Sequence, residues 1–191
     1  MASKTLPLRE TRRTNVAVAP ATTRPPAGRW SIDAAQSTLQ ISVKVGFIAT
    51  VNGRFTDVSG HVDLAENLAD SQIAVEVMTS SLTSGSSHWD SVLMNAGLVD
   101  TKKNPTISFE ATGVSERAGG WQLDGVLITE RGCVEVMFEM HCLGDTGDRI
   151  RFRATGTIAS RDAVRLLSQP GVDKLIGKSM SIDLVIEAVR G

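Results

Sequence analysis

The sequence has no tyrosine, and aromatic residues of all kinds make up only 4% of its 191 positions. The stacking platforms on which single-stranded nucleic-acid binders rely are therefore missing. A dominant charge is missing too. The chain sets 20 Lys and Arg against 21 Asp and Glu, so no broad field gathers nucleic acid or an anionic membrane. Cysteine is scarce: only Cys133 and Cys142 occur, nine residues apart. On one strand that odd step turns the two side chains to opposite faces, so they staple nothing obvious. No apolar run approaches the ~18 residues that cross a bilayer as a helix, which predicts a soluble chain with at most peripheral membrane contact.

Catalytic and metal-binding spacings are also absent. There is no G-x-S-x-G elbow, no H-E-x-x-H and no C-x-x-C. His61, His88 and His141 are scattered, and His141 adjoins Cys142, which sends those two side chains to opposite sides of a strand. Carboxylates are spread singly. The expectation is a protein that is not an enzyme and that holds no metal and no catalytic cofactor.

The length suits one domain plus a tail. Residues 1–29 carry Arg9, Arg12, Arg13, Arg24 and Arg29 against a single acid, Glu10. The apolar block Val16-Ala17-Val18-Ala19 is cut by Pro20 and followed by Thr22, Thr23 and Arg24, too short for a secretory or twin-arginine signal. A disordered arm over residues 1–29, closed by Pro25-Pro26-Ala27-Gly28, is expected, with the folded domain over 30–191 and a cytoplasmic location.

From Trp30 onward apolar and polar residues alternate with the period of two that marks strands burying one face. In Ser37 to Val45, Leu39, Ile41, Val43 and Val45 fall on one side and Thr38, Gln40, Ser42 and Lys44 on the other. Further strands are predicted over Val51 to Leu64 with bends at Gly53 and Gly60, Ser71 to Ser81, Thr106 to Glu116, Trp121 to Glu130, Cys133 to Leu143, Arg149 to Ser160 and Ser179 to Val189. Short helices are predicted over Ser86 to Asn95 and Arg161 to Ser168. Eight strands with regular turn signals favour an all-β barrel or sandwich. In a closed antiparallel barrel the shared aliphatic face becomes the lumen. The stripe Arg149, Arg151 and Arg153 reads as a solvated face opposite acidic neighbours.

Several landmarks, taken in order, resemble the YceI-like family of lipocalin-like barrels associated with binding polyisoprenoids. They are Trp30-Ser31-Ile32-Asp33, Ser37, Gly53-Arg54-Phe55 with Gly60, Asp90 with Leu93, Asp100, Asn104-Pro105-Thr106-Ile107-Ser108-Phe109, Arg161-Asp162 and the Ile186-Glu187-Ala188 of the last strand. The resemblance covers about Arg29 to Arg190. It departs from the pattern at Trp89, Val92, Leu98, Val99 and Val45, where Arg, His, an aromatic pair and His are usual. It implies an eight-stranded antiparallel lipocalin-like barrel with one or two short helices, and a homodimer. It further implies a carrier whose lumen holds a hydrophobic small molecule such as a polyisoprenoid or isoprenoid quinone, as bound ligand and not as catalytic cofactor. The lining side chains would include Leu39, Ile41, Val43, Val75, Ile107, Phe109, Leu123, Val136, Phe138, Phe152, Leu184 and Ile186. The alternative is a structural or protein-interaction barrel in which these same residues pack against one another. Trp30, Trp89 and Trp121 would line a barrel mouth or plug its ends.

Overall fold

The computed structural model describes residues 24–45, 49–88, 90–91, 97, 99–169, 172 and 176–191. Of the expected arm, residues 1–23 lie outside the described residues, as do Trp89, Val92, Leu98 and most of the helix expected from Ser86 to Asn95. Within that helix, residues 87–88 and 90–91 are helical, and the Asp90 N–H donates to the Ser86 carbonyl.

The strands are β1 (Gly28–Ile32), β2 (Thr38–Val45), β3 (Ala49–Phe55), β4 (Val58–Leu64), β5 (Gln72–Met78), β6 (Leu82–Thr83), β7 (Thr106–Arg117), β8 (Gly120–Thr129), β9 (Gly132–Asp145), β10 (Arg149–Ala159) and β11 (Ile176–Arg190). Three pairs of segments act as single bent strands. The last strand, β11, pairs with β1 through Trp30↔Arg190 and with β2 through Leu39 and Leu184, so β1 and β2 follow one another along it. Next door, β3 runs beside β2 while β4 runs beside β1. In the same way β5 lies against β4 and β6 against β3. With β7 to β11 this makes eight antiparallel strands in meander order, and the β1–β11 pairing closes the ring. Closure removes the exposed edges an open sheet would present.

Two details correct the strand reading. The bend expected at Gly53 and Gly60 falls instead at Thr56-Asp57, between β3 and β4. A strand precedes the first one expected: β1 begins at Gly28, ahead of the Ser37 to Val45 segment. Register shifts between Ala111 and Gly113, between Arg151 and Phe152, and between Ile176 and Met180 supply the local bends that a closed sheet needs.

One end of the barrel carries the start of β1, the end of β11 and the turns between β4 and β5, β7 and β8, and β9 and β10. There Trp30 is wholly buried, with the Arg190 guanidinium carbon 5.5 Å from its ring centroid, and Arg24 donates to the carbonyl of Glu66. The other end is covered by α1 (Ser160–Leu167). Its Ala163, Val164 and Leu166 are buried, a spacing that puts three apolar side chains on one helix face. Thr129 and Arg131 fasten the helix C-terminus by donating to the carbonyls of Leu166 and Ser168.

Candidate functional site

Parity along each strand decides which residues can reach the barrel axis. The inward set is mostly aliphatic or aromatic on the long strands, with Gly125, Gly156 and Cys142 among it, and its buried members fall into more than one cluster. The buried apolar side chains form two clusters: a large one including Phe109, Phe138 and Phe152, and a smaller one of Leu39, Phe55, Val58 and Val77. Half-buried Ile41, Val75 and Leu184 pack against both. A hollow lies between inward side chains of both clusters, with Leu39, Phe55 and Val77 of the smaller and Phe109, Phe138 and Phe152 of the larger on its wall.

The hollow runs from Pro25 and Leu68 at one end to Leu166 and Leu167 beneath the helix at the other, and every described side chain that lines it is apolar. Its volume is about 160 Å³, set in about 1470 Å³ of atom-free space that includes open solvent at its mouth. Because the wall faces empty space, Ile41, Val75, Ile107, Ile182, Leu184 and Ile186 remain only half-buried although they point inward.

Two glycines keep the hollow from being filled by aromatic rings. At Gly125 of β8 a Cβ would come within 2.4 Å of the Phe109 ring, and at Gly156 of β10 within 2.7 Å of the Phe138 ring. The bare backbone lets each ring lie against the wall, and the two rings meet edge to face with centroids 5.6 Å apart. Trp121 and Phe152 form a second such pair at 6.4 Å.

Of the twelve lining residues expected, ten face the hollow; Val43 and Val136 do not. Val136 lies across from Gly125, the residue against which the Phe109 ring rests, and is buried in the same cluster as Phe109. Val43 lines a separate, smaller hollow of about 40 Å³ under α1. Sequence reasoning missed Ile32, Phe55, Met140, Met180 and Ile182 on the strands, and Ala163, Leu166 and Leu167 on the helix. The helix residues had a visible signal, an apolar stripe at helical spacing in the short helix expected over Arg161 to Ser168, but the expected lining leaves that helix out.

The polar groups gather outside. Arg149 binds Glu187 at 2.7 Å and Asp33 at 3.1 Å, and Arg153 makes a two-pronged contact with Asp183. The Arg stripe is thus a solvated face answered by acids on β11 and the β1–β2 turn. Asp90 accepts from the Thr83 hydroxyl and from both the N–H and the hydroxyl of Ser84. The Ser84 hydroxyl and N–H, then Thr83, hold its carboxyl below the ordinary carboxylate range, and its part is to brace the chain after β6. Cys142 turns inward, and burial pushes its thiol pKa up; Cys133 is exposed on the outer face. Among the described residues no three His, Cys, Asp or Glu side chains come together as a metal ion would require, and no helix is long and apolar enough to cross a membrane.

Residues 30–188 match the YceI-like domain. The chain belongs to the YceI-like family. Among curated relatives, a UPF0312 protein of Shewanella baltica is 28% identical over 177 residues, and one of Shewanella sp. (strain ANA-3) is 26% identical over 174. Each match spans 86% of this chain and 88% of the relative. Among solved structures, Burkholderia cenocepacia BcnA superposes with a TM-score of 0.71 at 16% identity, over 83% of this chain and 99% of its own. A polyisoprenoid binding domain from Saccharophagus degradans, implicated in plant cell wall breakdown, superposes with a TM-score of 0.62 at 14% identity, over 85% and 98%. These likenesses establish the YceI-like barrel fold.

Proposed function

We propose that this YceI-like barrel is a non-enzymatic carrier that holds the chain of a polyisoprenoid or isoprenoid quinone in its lumen, working in the cytoplasm as a homodimer. The observation that carries this reading is the hollow itself, lined by apolar side chains from one end of the barrel to the other. Each methylene moved from water into such surroundings gains about 0.8 kcal/mol, so a hydrocarbon is the ligand class this wall suits best; the hollow of about 160 Å³ holds about a benzene's volume as it stands, and a longer chain parts the lining side chains. The polyisoprenoid binding domain among its structural neighbours supports the same choice of ligand class. The proposed contacts are the expected set, Leu39, Ile41, Val43, Val75, Ile107, Phe109, Leu123, Val136, Phe138, Phe152, Leu184 and Ile186, the ten on the hollow touching the chain directly and Val136 backing Phe109.

The test is extraction of the full chain, purified from cells without detergent, into organic solvent followed by mass spectrometry. One long apolar compound in near-stoichiometric amount is expected. An empty extract, together with failure of the stripped protein to take up an isoprenoid quinone from vesicles, overturns the reading. A second reading is a barrel that acts through its outer surface. It draws on the exposed Met137 and Leu143 of β9, 49% and 53% accessible, and it predicts that empty extract.

A further inference from the structure

We propose that the lumen consists of two chambers in series, with Met180 of β11 and Leu167 of α1 as an inner gate whose opening sets the longest apolar chain the barrel accepts. The inference rests on the reading of the lumen as a ligand site. The smaller hollow of about 40 Å³ shares Ile41, Ala163, Leu167 and Met180 with the main one of about 160 Å³, so these four side chains form the partition between them. Ile41 and Ala163 are short or branched and stand on the wall. Met180 is unbranched with several soft torsions, the side chain best able to swing aside, and Leu167 occupies the last turn of α1.

Three features make the far chamber part of the architecture. Between Ile176 and Met180 the register of β11 slips against β2, so the wall bulges there. Gly53 of β3 lines the chamber, and a Cβ at that position would come within 2.8 Å of Leu82 Cδ1, so the bare backbone lets Leu82 lie against β3 as part of the chamber wall. The lining turns polar only at Ser168, which marks where an apolar path ends.

A chain that only fills the main lumen leaves the gate shut, and each added methylene raises affinity up to about fourfold. Beyond that length the chain must displace Met180, and affinity stops rising until the gate gives way.

The experiment titrates the stripped full-length protein with isoprenols of increasing unit number and reads binding by quenching of tryptophan fluorescence, since Trp121 lines the main lumen. In the wild type, affinity climbs with length and then levels off. Met180→Ala and Leu167→Ala, on separate elements, should each move the plateau to a longer alcohol. For the first alcohol beyond the wild-type plateau the gain should be about tenfold or more, from the several methylenes newly buried, with the shorter alcohols changed far less. Adding Val51→Phe, which fills the far chamber, should cancel the gain of Met180→Ala. Circular dichroism establishes that each variant is folded, and folding of either alanine variant suffices for the comparison. A plateau that stays in place, or an affinity change equal at every length, overturns the gate while leaving the lumen reading intact. Failure of the wild type to bind any isoprenol removes the lumen reading and the gate with it.

Discussion

Ala154→Phe separates a hollow from a packed core by moving stability and ligand content in opposite directions. Ala154 lines the lumen from β10, with Met140 and Leu184 as its cross-strand partners. The substitution adds a ring the size of benzene, and a dry cavity of about 150 Å³ is known to accept benzene, against about 160 Å³ here. Burying such a ring gains about 1.5–3 kcal/mol, whereas forcing it into a filled core costs about 1–3 kcal/mol. With the space already present, and with about 1 kcal/mol of side-chain entropy lost, the net gain is about 1 kcal/mol. For a domain of this length that raises Tm by about 2–4 °C. The same ring occupies the volume a ligand needs, so lipid recovered per protein should fall about tenfold or more, since displacing two methylenes already costs about 1.6 kcal/mol. The assay is differential scanning calorimetry on solvent-stripped protein beside lipid analysis of unstripped protein. A Tm lowered by several degrees with lipid content unchanged would refute the reasoning, because it would mean the wall around Ala154 was full and the ligand lay elsewhere.

Three further outcomes follow from single groups. Trp30 is wholly buried and its Nε1 finds no hydrogen-bond partner among the described residues, so Trp30→Phe should be close to neutral in urea unfolding while Trp30→Ala costs about 3–5 kcal/mol; equal losses for the two would contradict this. The folded pKa of Asp90 lies below its unfolded value, so its stabilising effect is complete above about pH 4 and is lost as pH falls through the folded value; the Tm gap between wild type and Asp90→Asn should be constant near neutrality and close on acidification, and a gap that widens in acid would reverse the sign. Cys133 is exposed while Cys142 is half-buried with a raised thiol pKa, so a thiol reagent at pH 8 should label Cys133 about tenfold faster or more, and similar rates would count against an inward Cys142.

The parts of this fold that could be read from the chain are those that depend on side-chain period. Thr38 to Val45 alternates so regularly that its inward face follows directly, and the same holds for Arg149 to Ala159 and for Val134 to Cys142. What could not be read depends on partners distant in the chain. Gly28–Ile32 is short and mixed in polarity, and it is a strand because β11 and β4 lie on either side of it. The bend at Thr56-Asp57 arises where the neighbour changes from β2 to β1, so the more conspicuous Gly53 and Gly60 drew the expectation to the wrong place. The hollow shows the same division. Inward parity identified most of its wall, but whether an inward residue touches space or another side chain depends on what lies across the barrel. Val136 is buried beside Gly125, on which the Phe109 ring lies, and Val43 meets the chamber under α1.

An apolar wall also limits what kind of carrier this barrel can be. A long hydrocarbon gains as much in a bilayer as in the lumen, so the hydrophobic term cancels between donor membrane and protein. What remains is the contact made with the wall, less the work of parting side chains around a cavity of about 160 Å³. Pockets of this character separate ligands weakly, by about 1–3 kcal/mol for each methylene that does not fit, and among the described residues the lining offers no charged side chain with which to read a head. Selectivity must therefore come from length and shape, with the small difference in free energy between lumen and membrane favouring exchange over tight storage. Uptake from vesicles that changes little with each methylene that fits, falls once the chain outgrows the lumen and hardly depends on head group is the behaviour expected of this wall, and vesicle-to-protein transfer of isoprenoids varied in length and, at matched length, in head group would measure it.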